Sequence, residues 1–305
     1  MAGKFTLITG ANRGLGLEMV DVLARRQSDT TLLLGTRSLS NGKSAIDQLN
    51  QRGVKTANIQ PIQIDQADKT SIANAVSTIK SQYSGRIDTL YANAGILKDG
   101  DDPQQSAKSV MEVNYFGVQD LVNAVIPLIP KSGHIVIVSS EVGAWSHNAT
   151  GGQLREQLDH PENLEVSQVD KMVNDYVASQ GSGGDASAYP SGEKTFGPYG
   201  ISKMFVSTYG RILARELKDK GITVALVCPG YCATDFNGHG GPRKAITGAK
   251  SIVYGERISH DQTGGFFQDS RSLPMATSMD SMDEMIKGAL ESERRFTEQE
   301  AQQGL

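Results

Sequence analysis

The stretch Phe5-Thr-Leu-Ile-Thr-Gly-Ala-Asn-Arg-Gly-Leu-Gly16 decides the fold. Its first half is a short apolar run, the pattern of a buried strand. Its second half sets glycines at 10, 14 and 16, and Leu17, Val20, Leu23 and Ala24 then recur at helical spacing. A glycine-rich turn between strand and helix lets the backbone bend tightly and approach a pyrophosphate, with the helix N-terminus facing the negative charge. The spacing is Gly-x-x-x-Gly-x-Gly rather than the more common Gly-x-Gly-x-x-Gly. Taken alone, it also fits a tight bend that holds no ligand.

The alternation continues outward. Apolar runs at 31–35, 59–64, 87–92 and 134–138 read as strands, with helical periodicity at 41–52, 72–79 and 110–129. Apolar strands alternating with helices predict an α/β fold, a doubly wound parallel sheet covered on both faces. Residues 146–197 break the pattern. They are polar, with one helical stretch (Val166, Val169, Met172, Val173, Tyr176, Val177) and a flexible Gly181-Ser-Gly-Gly184. A helix at 199–218 and a strand at 222–227 resume it. A loop with a short helix at 230–263 and a short strand at 265–268 follow. Met279, Met282, Met285, Ile286, Ala289 and Leu290 form an apolar helical stripe that Ser281-x-x-Glu284 can cap. That stripe reads as a helix packed on the body, or as a partner-binding helix. Fraying is expected from Gln299 onward. The organisation expected is one domain over 1–305, with a helical insertion at 146–197 and a C-terminal extension at 270–305.

Composition narrows the function. The 305 residues carry 30 basic and 34 acidic side chains, a net charge of −4, and no long basic run. A nucleic-acid partner is therefore not expected. No apolar stretch approaches the roughly 20 residues that cross a bilayer, and the first residues lack the pattern of a signal peptide. Cys228 and Cys232 are too few for a disulfide framework, so a reducing, cytoplasmic setting is expected. With five histidines and no His-Glu-x-x-His, no metal site is expected.

The second strand ends in Gly35-Thr-Arg37. Thr36 occupies the position where NAD sites usually place an acid, and Arg13 lies inside the glycine loop. Two arginines without a carboxylate suit a ribose 2′-phosphate, and hence NADPH, unless both are plain surface residues. Asp65 is placed to meet an adenine or to cap a helix. Tyr199-Gly-Ile-Ser-Lys203 sets a phenol and an ammonium four apart on one helix face. A nearby ammonium favours the phenolate of a tyrosine, which otherwise titrates near pH 10.

In order along 4–268, the chain resembles the short-chain dehydrogenase/reductase family, which has a Rossmann fold. The matching residues are Thr9-Gly10-x-x-x-Gly14-x-Gly16, Asp65, Asn93-Ala94-Gly95, Asn114, Val138-Ser139-Ser140, Tyr199-x-x-x-Lys203 and Pro229-Gly230 with Thr234. Ala92 departs from a common Asn. Within the family it is most similar to the carbonyl reductase subgroup, which also has a long helical insertion between its serine and tyrosine. Here Ser140 and Tyr199 stand 59 positions apart. The resemblance implies NADPH-dependent reduction of ketones and aldehydes. Tyr199 would donate the proton, Ser140 would hold the carbonyl oxygen, and Lys203 would bind ribose and lower the Tyr199 pKa. Asn114 would hold a water leading to solvent. Ser139 is the rival serine. NADPH would contact Gly10, Asn12, Arg13, Gly14, Leu15, Gly16, Arg37, Asp65, Gln66, Asn93, Ala94, Gly95, Tyr199, Lys203, Pro229, Gly230 and Thr234. Val142, Trp145 and Tyr231 would wall a small-molecule carbonyl substrate or be ordinary core. Cys228 would lie near the nicotinamide or be a plain buried thiol. The subgroup's insertion implies a monomer, because it would cover the helix pair that pairs subunits elsewhere in the family, and it would line one side of the substrate entrance. A reductase of one secondary-metabolite or steroid-like ketone uses the same residues. A regulator that binds NADPH without turnover would not require the proton donor.

Overall fold

The computed structural model describes residues 3–98, 100–190, 195–279 and 281–303. Within them the strands are β1 (Lys4–Ile8), β2 (Thr30–Thr36), β3 (Ile59–Gln63), β4 (Thr89–Ala92), β5 (His134–Val138), β6 (Thr223–Val227), β7 (Phe266–Gln268) and β8 (Arg271–Leu273). They form one sheet in the order β3-β2-β1-β4-β5-β6-β7-β8. Pairing is parallel from β3 through β7, and β8 returns antiparallel. Chain order reverses between β1 and β4. In doubly wound sheets that switch point opens a crevice beyond the carboxyl ends of the strands.

Alternation along each strand builds two cores. Leu7, Leu33 and Leu90 face one layer, and Ile8, Leu32, Leu34 and Tyr91 face the other. The second layer holds α1 (Gly14–Arg26), α2 (Leu39–Gln51) and, from late in the chain, the short helix Ala245–Val253. The first layer holds α3 (Lys69–Gln82), α4 (Pro103–Met111), α5 (Gly117–Val125) and the long helix Gly197–Leu217. The remaining helices, in chain order, are α6 (Glu141–Ala149), α7 (Gly152–Asp159) and α8 (Val166–Ser179). The long helix is then α9, Ala245–Val253 is α10, and Met282–Gln303 is α11.

Four expectations need correction. The helix expected at 110–129 starts earlier, at Pro103, because the Asp102 carboxylate caps it by accepting from the Gln105 amide at 2.7 Å. It is also interrupted by a π turn over Glu112–Phe116. Residues 146–197 hold not one helix but the end of α6, then α7 and α8. Beyond the expected strand at 265–268 the chain reverses into β8, through Asp269 and Ser270 in left-handed conformations. The helix at the C-terminus runs to Gln303, past the point where fraying was expected.

The helical stretch of the insertion buries Val169, Met172, Val173 and Tyr176 against α4 and α9. Polar bonds fix its rotation. The Tyr115 hydroxyl and the Gln119 amide both donate to the Asp170 carboxylate, each at 2.9 Å. The Arg215 guanidinium of α9 donates to the Glu162 and Leu164 carbonyls at 2.7 and 2.9 Å. Tyr115 is fully buried, and although its oxygen still accepts from Gln119, removing Asp170 leaves the hydroxyl hydrogen without an acceptor, a cost of about 1–3 kcal/mol. Asp170→Ala should lower the unfolding free energy by that amount in urea titrations. Asp175→Ala breaks only the exposed Lys171–Asp175 pair and should cost no more than about 0.5 kcal/mol. Equal losses for the two would show that Asp170 does not anchor α8.

Candidate active site

A cavity of about 1000 Å³ runs along the carboxyl ends of the strands from the β1–β2 side to β7. Its first half is built on the glycine turn. Gly10 has φ +64°, and a Cβ on Gly16 would lie 2.3 Å from the Gly10 carbonyl oxygen. No other residue fits at 16, so α1 starts hard against the end of β1 with its first amides turned to the cavity. Asn12, Arg13, Gly14, Leu15, Arg37, Asp65, Ala94, Gly95, Pro229 and Gly230 also line it, and Thr234 packs opposite Gly14. The Arg13 and Arg37 guanidinium groups are exposed and make no hydrogen bond or ion pair with a described residue. Asp65 both faces the cavity and caps a turn, accepting from the Ala67 amide at 3.0 Å. Gln66 spends its side chain inside the protein. Its amide donates to the Ala94 and Val113 carbonyls at 3.1 and 3.0 Å, and its oxygen accepts from Thr9. The Asn93 amide donates to the Thr9 carbonyl at 2.8 Å.

The second half holds the titratable groups. Ser140, just past the end of β5, lies beside the Tyr199 phenol. Ser139 is turned away: its hydroxyl is buried against α9, 2.6 Å from that of Ser207. Enclosure by protein pushes the Tyr199 phenol up, as does the nearby Cys228 thiol, and only the Ser140 hydroxyl opposes them. The lowering expected from Lys203 is therefore not found here. Lys203 Nζ lies 5.6 Å from the centre of the Tyr199 ring and donates to the Val138 carbonyl at 2.7 Å. Burial pushes Lys203 itself down to about 8. The π turn aims Asn114 inward, where both of its amide hydrogens are used, on the Ile96 carbonyl at 2.8 Å and the Ser202 hydroxyl at 3.0 Å. Its oxygen accepts from the Ile96 amide at 2.8 Å. One lone pair remains to receive a water.

Val142, Trp145 and Tyr231 all line the cavity. From 146–197 the lining includes Phe196 but no residue of α7 or α8, so those helices do not supply the expected wall of the entrance. That wall is α11. Met285, Ala289 and Phe296 face the cavity, as does Met279 just before the helix, while Met282, Ile286 and Leu290 remain exposed. Spacing alone detects the stripe but not which half of it faces the cavity. Phe236, its ring tilted 60° to that of Tyr199 at 5.5 Å between centres, and Glu141 also line the cavity and carry no motif. Cys228, a free thiol, lies buried at its edge.

A buried cation anchors α11. Arg243 is fully enclosed and grips Asp269 through both terminal nitrogens. It also donates to the Ser292 hydroxyl of α11 at 2.9 Å, and Glu293 of the same helix takes the Thr247 hydroxyl at 3.0 Å.

A family model described as short chain dehydrogenase matches residues 4–151 and 187–244. The unmatched stretch between them contains all of α7 and α8. Among curated proteins, short-chain dehydrogenase/reductase 1 of Saponaria officinalis is 33% identical over 276 residues, covering 82% of this chain and 88% of its own. Carbonyl reductase (NADPH) 3 of Homo sapiens is 30% identical over 268 residues, covering 85% and 93%. Among solved structures, salutaridine reductase from Papaver somniferum has a TM-score of 0.76 at 24% identity, over 87% of this chain and 99% of that one.

The depressed Lys203 makes a pH prediction. Folded, it loses its proton near 8; unfolded, near 10.5. Between those values the unfolded chain binds more protons, so folding stability rises with pH. Relative to Lys203→Met, the wild-type unfolding free energy should climb by up to about 3 kcal/mol from pH 7.5 to 10.5. Parallel pH profiles would refute the depression.

Proposed function

Since the chain belongs to the short-chain dehydrogenase/reductase family, we propose that it uses NADPH to reduce ketones or aldehydes to alcohols. The observation that carries this reading is one cavity. A glycine cradle and two guanidinium groups without a bonded partner among the described residues line one end, and a phenol beside a serine lies at the other. The human relative is named for this reaction and this cofactor. The cradle fits a dinucleotide, because a side chain at 16 would fill the space the pyrophosphate needs. Arg13 and Arg37 would hold the 2′-phosphate, and Asp65, Asn93 to Gly95 and the Pro229-Gly230 turn the remainder. When bound, NADPH supplies a hydride.

The side chains handle the proton and the oxygen. With its pKa raised, Tyr199 is protonated at neutral pH and can donate to a carbonyl oxygen. Ser140, beside that phenol, would hold the same oxygen. The Lys203 ammonium stands behind the ring and favours the phenolate left after donation. Lys203 would also hold the ribose. Asn114 keeps the Ile96 loop and α9 in register, and its free lone pair takes the water that returns a proton toward Lys203.

The remaining readings have their own support. Residues 1–305 act as one reductase domain, with 146–197 as an insertion and 270–305 as an extension that closes the site. The seating of α8 on α4 and α9 supports a monomer of 32.7 kDa, because covering that surface within the chain avoids the entropy cost of association. Free, buried cysteines support a reducing, cytoplasmic setting. Among the described residues no helix is long and apolar enough to cross a membrane.

Three measurements test these proposals. Tyr199→Phe should cut turnover of a reduced ketone by about 10²–10⁴-fold while NADPH still quenches protein fluorescence; wild-type turnover would remove Tyr199 from the chemistry. Wild-type enzyme should prefer NADPH over NADH, and Arg37→Asp should shift that ratio toward NADH by about 10-fold or more. Equal efficiencies in the wild type would dismiss the arginine pair. Light scattering at micromolar protein should give the mass of one chain, and a dimer that survives dilution would overturn the monomer.

A further inference from the structure

We propose that Glu141 is a specificity-determining residue, and that the carbonyl substrate carries a basic nitrogen bound as an ammonium by its carboxylate. The inference rests on the reductase reading and names the substrate class of that site. Glu141 opens α6 directly after Ser140 and lines the same cavity. Its backbone amide is tied to the Cys228 sulfur at 3.4 Å, yet its carboxylate makes no hydrogen bond or ion pair with any described residue.

The surroundings ask for a donor. One rung beyond the Val227–Phe267 pair, Cys228 and Gln268 stand side by side on one face of the sheet. Gln268 lines the cavity, and its Oε1 is buried without a partner. The buried guanidinium nearby is already committed: Arg243 holds Asp269 through two nitrogens and faces Glu293 at 4.0 Å. Asp269, Glu293 and Glu141 thus outnumber Arg243, and Glu141 is the one without a bonded partner. Burial and Asp269 both disfavour its charge, and Arg243 opposes them. Arg271 and Arg295 also line the cavity but are exposed to solvent. An incoming ammonium supplies the missing positive charge and can donate to the Glu141 carboxylate. Glu141 and Ser140 are consecutive and line the same cavity, so one small substrate can meet both, its nitrogen at Glu141 and its carbonyl at Ser140.

The test uses two ketones of equal shape, N-methylpiperidone and methylcyclohexanone, with NADPH and the full-length protein at pH 7. Wild-type enzyme should favour the amino ketone in kcat/KM. In Glu141→Gln the amino-to-neutral ratio should fall about 10- to 100-fold, mostly through KM, the size expected for losing a charge-assisted bond. A wild type without the preference, or an unchanged ratio in Glu141→Gln, would mean that the residue only complements the N-terminal dipole of α6, and overturns the inference. If the variant does not fold, inhibition of the wild type decides: the amino alcohol must compete with ketone at least 10-fold better than its carbocyclic counterpart, and equal competition overturns the inference. If no ketone in the pair or aldehyde in a control set oxidises NADPH, the reductase reading falls and takes this inference with it. Turnover with an unchanged ratio defeats this inference alone.

Discussion

The structure depends on one buried hydroxyl. Thr9 Oγ1 accepts from the Asn93 and Ala94 amides, both at 3.0 Å, and donates to Gln66 at 3.1 Å. A threonine hydroxyl has one hydrogen and two lone pairs, so these bonds exhaust it. They join the carboxyl ends of β1, β3 and β4 at the switch point. Gln66 carries the connection on to the π turn through Val113, and Asn114 there fixes the Ile96 loop beside Lys203. The glycine cradle and the helix that carries Tyr199 and Lys203 are thus set relative to each other by a short chain of saturated polar groups. Such networks are costly to leave incomplete, which makes the spacing between the two halves of the cavity a property of the fold.

Much of this was legible in the chain. Strands β1 to β7 declare themselves as short apolar runs, and the sheet class follows from their alternation with helices. The parts that were not legible share a physical cause: they lack a period. A π turn inserts one residue into a helical ladder and leaves the apolar pattern on both sides intact. In α7, Leu154 and Leu158 are the only apolar side chains in Gly152–Asp159, too few to set a moment. The three residues of β8 are held by a turn rather than by their own alternation.

The candidate site divides the same way. Gly10, Gly14, Gly16, Ser140, Tyr199 and Lys203 are visible because their chemistry demands fixed spacing. Strand geometry separates Ser139 from Ser140: past the end of β5 the first hydroxyl is buried beside Ser207 and the second faces Tyr199. Arg243, Asp269 and Ser292 come from three separate elements and have no spacing to read. Their meeting depends on how α11 crosses the cavity, which only packing decides. The apolar stripe announced the helix, and the buried ion cluster determines which side of that helix faces inward.

The ends of the sheet carry a further consequence. An eight-stranded sheet exposes two outer strands, and an open edge is a template on which a neighbouring chain can add a strand. Here β3 is the outer strand on one side and contains Pro61, which has no amide hydrogen to offer. On the other side β8 is only three residues long and begins with an exposed arginine, Arg271. Neither edge supports extended pairing. The hairpin that brings Asp269 to Arg243 therefore also ends the sheet in a form that resists growth into aggregates, so a single short turn serves both the site and the colloidal stability of the molecule.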